Sequence, residues 1–186
     1  MRTFLAPILL LTLLFPALAL GGEVTMDDLV ERGGVLYKKF TDVPFDGEVT
    51  GRERGSFKDG KKDGPWVEYH ENGQLSSKEN YKDGWRNGPS VWHHPNGVLE
   101  RKGNYKDGSR NGPMVSYYDN GQLASKGTYK DGKIDGPWVE YWSNGDLRSE
   151  GTYKDGKKHG ASFEYHSDRT VMEGPTGTYK DGVKVK

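Results

Sequence analysis

The sequence predicts an all-β fold: an elongated single-layer antiparallel β-meander of 24-residue, two-strand units, with a short N-terminal cap of helix and hairpin. The first observation is that an aromatic residue followed by Lys, Asp and Gly recurs every 24 residues. These aromatic residues are Phe57, Tyr81, Tyr105, Tyr129 and Tyr153, with another at Tyr179 after two extra residues. The second is a pair of hairpin dipeptides in each unit, such as Asp131-Gly132 and Asn144-Gly145. A fixed period of this length is typical of proteins whose units pack on their neighbours.

Residues 1–19 predict a secretory signal peptide. They hold one charged residue, Arg2, an apolar run over 4–15, and the small-x-small sequence Ala17-Leu18-Ala19 that a signal peptidase recognises. The alternative is an uncleaved N-terminal membrane anchor, but Pro7 and Pro16 bracket an apolar run that is shorter than the roughly 20 residues of a membrane-spanning helix. We therefore expect export, to the periplasm or the cell exterior.

Residues 20–56 are predicted to form the N-terminal cap, and residues 57–186 the repeat array. Thr25 is the expected N-cap of a short helix, which Gly33-Gly34 would end after barely two turns. Residues 35–40 and 44–51 then predict a divergent hairpin. Terminal units of repeat proteins are commonly atypical because they shield an open end.

Within a unit, strands are expected over 137–142 and 146–154. A three-residue loop, Ser143-Asn144-Gly145, would place Tyr141 opposite Leu147. If Lys130-Asp131-Gly132 is also a three-residue loop, all odd-numbered positions share one face. That face would be the core, with Val67, Tyr69, Leu75, Tyr81, Val91, His93, Leu99, Tyr105, Val115, Tyr117, Leu123, Tyr129, Val139, Tyr153, Phe163, Tyr165, Val171 and Tyr179.

The even-numbered positions would then form an exposed face rich in aromatic residues, a composition typical of partner recognition. The candidate partner-binding residues are Trp66, His70, Trp92, His94, Met114, Tyr118, Trp138, Trp142 and His166. The alternative is that cross-strand aromatic pairs stabilise a one-layer sheet on both sides.

Composition and residue spacing argue against nucleic-acid binding, catalysis and metal binding. The chain has no cysteine, and after loss of Arg2 it holds 26 basic and 27 acidic residues, a balance that argues against nucleic-acid capture. Lysines alternate with acids, so no basic stripe is expected, and the sequence offers no nucleophile and base for an enzyme. His70, His94 and His166 would lie about 10 Å from their equivalents, too far to share a zinc ion. We expect no catalytic site, cofactor or metal.

The segment from Gly127 to Gly145, with Tyr129-Lys130-Asp131-Gly132 and Asn144-Gly145, resembles the MORN repeat in its bacterial variant form. The resemblance covers residues 47–186. It departs from the usual pattern at Pro65, Pro89, Pro113 and Pro137, and where Asp168-Arg169 replaces Asn-Gly.

The resemblance implies an elongated scaffold that binds proteins or, in some members, anionic lipid. We therefore expect an exported non-enzymatic scaffold whose partner is a protein or a cell-envelope component. Some bacterial variant members are labelled antitoxins, so an antitoxin or immunity-type protein that neutralises a cognate toxin is the alternative. Binding to an anionic membrane surface is the second alternative.

Overall fold

The computed structural model describes residues 22–186, so the predicted signal peptide at 1–19 lies outside the described residues. A short 3₁₀ turn, Met26–Asp28, precedes the strands. The strands are β1 (Leu29–Arg32), β2 (Val35–Lys38), β3 (Gly47–Val49), β4 (Glu53–Lys58), β5 (Lys61–Tyr69), β6 (Leu75–Lys82), β7 (Trp85–Arg86), β8 (Gly88–His93), β9 (Leu99–Lys106), β10 (Ser109–Tyr117), β11 (Leu123–Lys130), β12 (Lys133–Tyr141), β13 (Leu147–Lys154), β14 (Lys157–Glu164), β15 (Gly177–Lys180) and β16 (Val183–Lys184).

The strands from β3 onward form a single 14-stranded antiparallel sheet in which neighbours in the chain are neighbours in the sheet. Only β7 departs from this order, because it pairs with β6 beside β8. The predicted all-β meander is confirmed.

The Asp-Gly turns differ from the prediction. Lys130 pairs directly with Lys133, so the loop is the two residues Asp131-Gly132 and not three. Both residues have positive φ, 48° and 81°, as a type I′ turn requires. The other Lys-Asp-Gly segments have the same conformation, with Asp φ between 47° and 51°. The type I′ turn matches the right-handed twist of the flanking strands, which explains the Asp-Gly preference.

The Asn-Gly hairpins match the predicted three-residue loop. Tyr141 lies opposite Leu147, Gly145 has a φ of 89°, and the Trp142 N–H donates to the Asp146 carbonyl at 2.7 Å. One residue later the register shifts, because Glu140 pairs with Ser149 and Arg148 has no opposite residue. This unpaired position is a β-bulge, and it reverses which face each following residue occupies. Equivalent bulges occur at Ser76, Glu100 and Ala124.

The predicted single-parity core is therefore wrong. Each face takes odd-numbered residues from one strand of a hairpin and even-numbered residues from the other, because cross-strand partners share a face. One face, called here the buried face, carries Phe57, Lys62, Trp66, Ser77, Glu79, Tyr81, Arg86, Ser90, Trp92, Arg101, Tyr105, Arg110, Met114, Tyr129, Trp138, Tyr153 and Ser162. The opposite face, called the valine face, carries Arg54, Pro65, Val67, Tyr69, Leu75, Lys78, Asn80, Pro89, Val91, His93, Leu99, Lys102, Asn104, Pro113, Val115, Lys126, Thr128, Pro137, Val139 and Glu150.

The core lies on the buried face. Beyond Gly51, all the buried side chains of the described strands belong to it. The tyrosines of the repeated Lys-Asp-Gly segments are on this face, as predicted, whereas the valines expected beside them are on the other.

The N-terminal cap differs in detail from the predicted helix and divergent hairpin. Thr25 does cap a short helical segment, with its N–H donating to Asp28 Oδ2 at 2.9 Å, but that segment is a single 3₁₀ turn. Gly33-Gly34 forms the two-residue turn of the β1–β2 hairpin and does not end a helix. Leu29 and Val49 pack with Phe57 and Trp66 in one apolar cluster, so the cap covers the first repeat.

Candidate binding face

Four of the nine predicted partner-binding residues are in the core. Trp66 is 1% exposed, and Trp92, Met114 and Trp138 are each 7% exposed. The prediction that they form an exposed face is wrong, because the bulges place them beside the repeat tyrosines. Trp66 contacts Phe57 and Tyr81 edge-on, with ring centroids 5.0 and 6.3 Å away.

Cationic side chains cover these rings. Lys62 Nζ lies 3.9 Å from the centroid of Trp66, and Arg101 Cζ lies 4.2 Å from that of Trp92. The aliphatic stems of Lys and Arg shield apolar surface while their charged ends remain solvated. A one-layer sheet thus buries large rings without a second layer.

Glycines opposite the rings make room for them. Gly55 lies opposite Trp66, and a Cβ on it would come within 2.6 Å of the indole ring. Gly103 faces Met114, and Gly127 and Gly151 face Trp138. A Cβ on Gly127 would likewise overlap the Trp138 ring, so Gly55 and Gly127 make room for the indoles opposite them.

Glu79 occupies the position that glycine holds in the later units, and it forms a buried polar cluster. Arg86 Nε donates to Glu79 Oε1 at 2.5 Å, and the Tyr81 hydroxyl donates to Oε2 at 2.9 Å. Burial and the adjacent Glu79 charge raise the pKa of Tyr81 above its ordinary value. Burial alone would lower the pKa of Arg86, but its hydrogen bond and attraction to Glu79 raise it overall. This cluster holds the charges of Glu79 and Arg86 in fixed positions.

Four more of the predicted residues form a ladder at the strand ends, beside the Asn-Gly loops. They are His70, His94, Tyr118 and Trp142. Each contacts a backbone carbonyl oxygen 23 residues later in the chain. The Tyr118 hydroxyl, for example, donates to the Tyr141 carbonyl at 2.8 Å, and His94 Nε2 lies 3.0 Å from the Tyr117 carbonyl oxygen. These side chains tie successive hairpins together. A role in binding a partner stays a prediction for them and for His166, which is exposed.

The Asn-Gly loops make the same kind of hydrogen bond between successive hairpins. The Nδ2 atoms of Asn72, Asn96 and Asn120 each donate to a carbonyl oxygen 23 residues later, at 2.7 to 2.8 Å. The Oδ1 atom of each accepts from the backbone N–H two residues on. The Asn-Gly loops are therefore structural.

The valine face carries a concave surface. A groove of about 600 Å³ crosses its centre. Its side walls are Pro89, Pro113, Pro137, Val91, Val115, Val139, Lys102, Lys126, Asn104 and Thr128. The prolines are exposed and the valines are half-buried. This surface is apolar, regular and accessible, which are properties of binding sites.

The cross-strand register arranges the valine face in rows. Val115 lies between Lys102 and Lys126, and Val91 lies between Lys78 and Lys102. The row begins at Arg54, opposite Val67, and turns acidic at Glu150, opposite Val139. The expectation that no basic stripe forms is therefore wrong for this face. In sequence each lysine is close to acids, but those acids lie on other surfaces.

Sequence reasoning missed the residues of this groove. The prolines that follow the second glycine of each unit were the available signal, since they depart from the usual repeat. Each lies opposite a small polar residue, as Pro89 opposite Asn104 and Pro113 opposite Thr128.

Within residues 22–186 no group of three or more His, Asp or Glu side chains could hold a metal ion. None of the described helical segments has the length and apolar character of a membrane span.

The tandem hairpins joined into one layer define a β-meander repeat protein. The MORN repeat variant family matches residues 62–83, 86–107, 110–131 and 134–155, four tandem copies of this unit. The chain belongs to the MORN repeat family in its variant form. MORN repeats are in general scaffolds that bind proteins or membranes, and the fold is typically non-catalytic.

Among solved structures, the chain is similar to one described as the crystal structure of the GtfA/B complex bound to UDP and GlcNAc. The identity is 10% and the TM-score 0.22, over 72% of this chain and 24% of that chain. A likeness this low supports no functional inference. A search of curated proteins finds no match.

Proposed function

We propose that this chain is an exported, non-enzymatic scaffold that binds a protein partner through its valine face. The observation that carries the proposal is the groove of about 600 Å³ between the proline and valine rows. It differs from the predicted binding surface because the tryptophans expected there are in the core.

Three features of the groove suit protein recognition. Its walls are apolar, which favours association by removing surface from water. Its lysines and the polar Asn104 and Thr128 can fix the orientation of a partner. The strands below it are joined by regular cross-strand pairs, so the surface needs little ordering on binding. Export is proposed from residues 1–19 and places the partner in the cell envelope or outside it.

Photo-crosslinking in intact cells tests this proposal. A photoreactive phenylalanine analogue replaces Val115 in the groove, and in a matched variant it replaces Gln122, which is exposed in a hairpin loop. Cell fractionation first shows where the chain resides, and a mature form beginning at Leu20 is expected in the exported fraction.

The expected result is a discrete protein adduct from the Val115 variant and none from the Gln122 variant. Both variants should unfold at the same urea concentration, which shows that the label leaves the fold intact. Equal adducts from the two positions, or retention of the chain in the cytoplasm, would contradict the proposal.

A further inference from the structure

The row of basic residues on the valine face sets the kind of partner that fits. We propose that the groove binds an extended acidic peptide in the polyproline II conformation, with a carboxylate at every third residue. This inference rests on the proposed function, because it names the chemistry of the segment that the valine face holds.

The charged residues of the row are positive up to its acidic end. Arg54, Lys78, Lys102 and Lys126 are exposed and alternate with valines, and Glu150 is the acidic residue that ends the row. Within residues 22–186 none of the three lysines forms an ion pair. A surface with one sign of charge attracts the opposite sign. The occupant is therefore acidic.

The spacing of the row selects the conformation of the occupant. Successive lysines are two strands apart, and two strand spacings amount to about 10 Å. Three residues of a polyproline II helix span about 9.3 Å and bring every third side chain to the same side. In a β-strand, side chains on one side recur at about 6.7 Å, which does not match. The polyproline II period fits.

The size of the groove favours an occupant thinner than an α-helix. The groove offers about 600 Å³, and an α-helix with its side chains is about 10 Å wide. A polyproline II segment is thinner and has no internal hydrogen bonds, so its carbonyl groups need external donors. The amide of Asn104 and the hydroxyl of Thr128 lie between the wall prolines and can supply them.

The apolar walls of the groove favour apolar residues between the carboxylates of the occupant. The residues between the carboxylates would face Pro113, Val115 and Pro137, which present apolar surface and, at the prolines, no N–H group. Prolines in the peptide suit these positions because they also stabilise the extended conformation before binding. A second copy of this chain is a poor occupant, because two valine faces would bring lysine rows together.

The test uses the mature chain and synthetic peptides. The first peptide repeats Glu-Pro-Pro, and the second has the same composition with its glutamates adjacent. A third is a helical peptide with glutamate at every seventh residue, which repeats at about 10.5 Å. Fluorescence anisotropy measures each affinity at low and at physiological salt. Vesicles of phosphatidylglycerol and phosphatidylethanolamine supply an anionic membrane surface.

The repeating peptide should bind about tenfold more tightly than the block peptide, and its affinity should fall with salt. Lys102→Gln and Lys126→Gln should each weaken it several-fold, whereas Lys157→Gln, at a turn outside the groove, should not. Equal affinities for the first two peptides, tighter binding of the helical peptide, or binding to vesicles alone would overturn the inference. If the Val115 crosslink forms but no peptide preference exists, the proposed function stands and this inference fails. Absence of both overturns both.

Discussion

The two faces of this sheet are made from the same strands but from different cross-strand rows. On the buried face Trp138 lies between Gly127 and Gly151, and the Tyr129 ring packs edge-on against it. On the valine face Val115 lies between Lys102 and Lys126, whose charged ends remain in water. A large ring beside a glycine can lie flat and exclude water, whereas a small side chain beside a lysine cannot.

The contrast shows how a one-layer sheet can have a core and a binding surface. Stability is concentrated on the side where rings and glycines alternate, and the other side stays open to a partner. Substitutions that remove the same amount of side chain from the two faces should therefore differ strongly in cost.

The largest expected effect is at Trp66. Trp66→Ala should lower the free energy of unfolding by about 3–5 kcal/mol, because a fully buried ring is lost and the cap cluster around it opens. Val67→Ala, one residue away on the valine face, should cost less than about 1.5 kcal/mol. Urea unfolding followed by circular dichroism measures both. Equal losses would mean that the two faces share the core.

An intermediate effect is expected at Glu79. Glu79→Ala leaves Arg86 and the Tyr81 hydroxyl without their buried acceptor, which should cost about 1–3 kcal/mol. Glu150→Ala on the valine face is the matched control and should change stability by less than about 0.5 kcal/mol. The double variant Glu79→Gly with Arg86→Ile copies Gly127 and Ile134 of a later unit, and it should recover some of the loss. A larger loss in the double variant would contradict this account.

The period, the strands and both turn positions follow from the sequence, because Asp-Gly and Asn-Gly determine local backbone conformation without help from the fold. The faces could not be predicted as readily. The unpaired bulge residues Ser76, Glu100, Ala124 and Arg148 share no chemical property, so nothing in the residue pattern marks the register shift. That single residue per hairpin and the two-residue Asp-Gly turn together place the tryptophans in the core and not on the predicted binding surface. The lysine row was hidden for the same reason, since it exists only after the strands are paired.

The smallest effect on stability is expected at alkaline pH, from a tyrosine of the buried face. The pKa of Tyr81 is raised on folding by burial and by Glu79, so the folded chain holds this proton more tightly than the unfolded chain does. The resulting stabilisation is complete below about pH 10, the ordinary tyrosine pKa, and is lost as the pH rises through the folded value. The loss is limited because nearby Arg86 favours the ionised form. Tyr81→Phe should flatten the decline in unfolding free energy as the pH rises above about 10. A decline that is the same in Tyr81→Phe as in the wild type would show that this hydroxyl does not carry it.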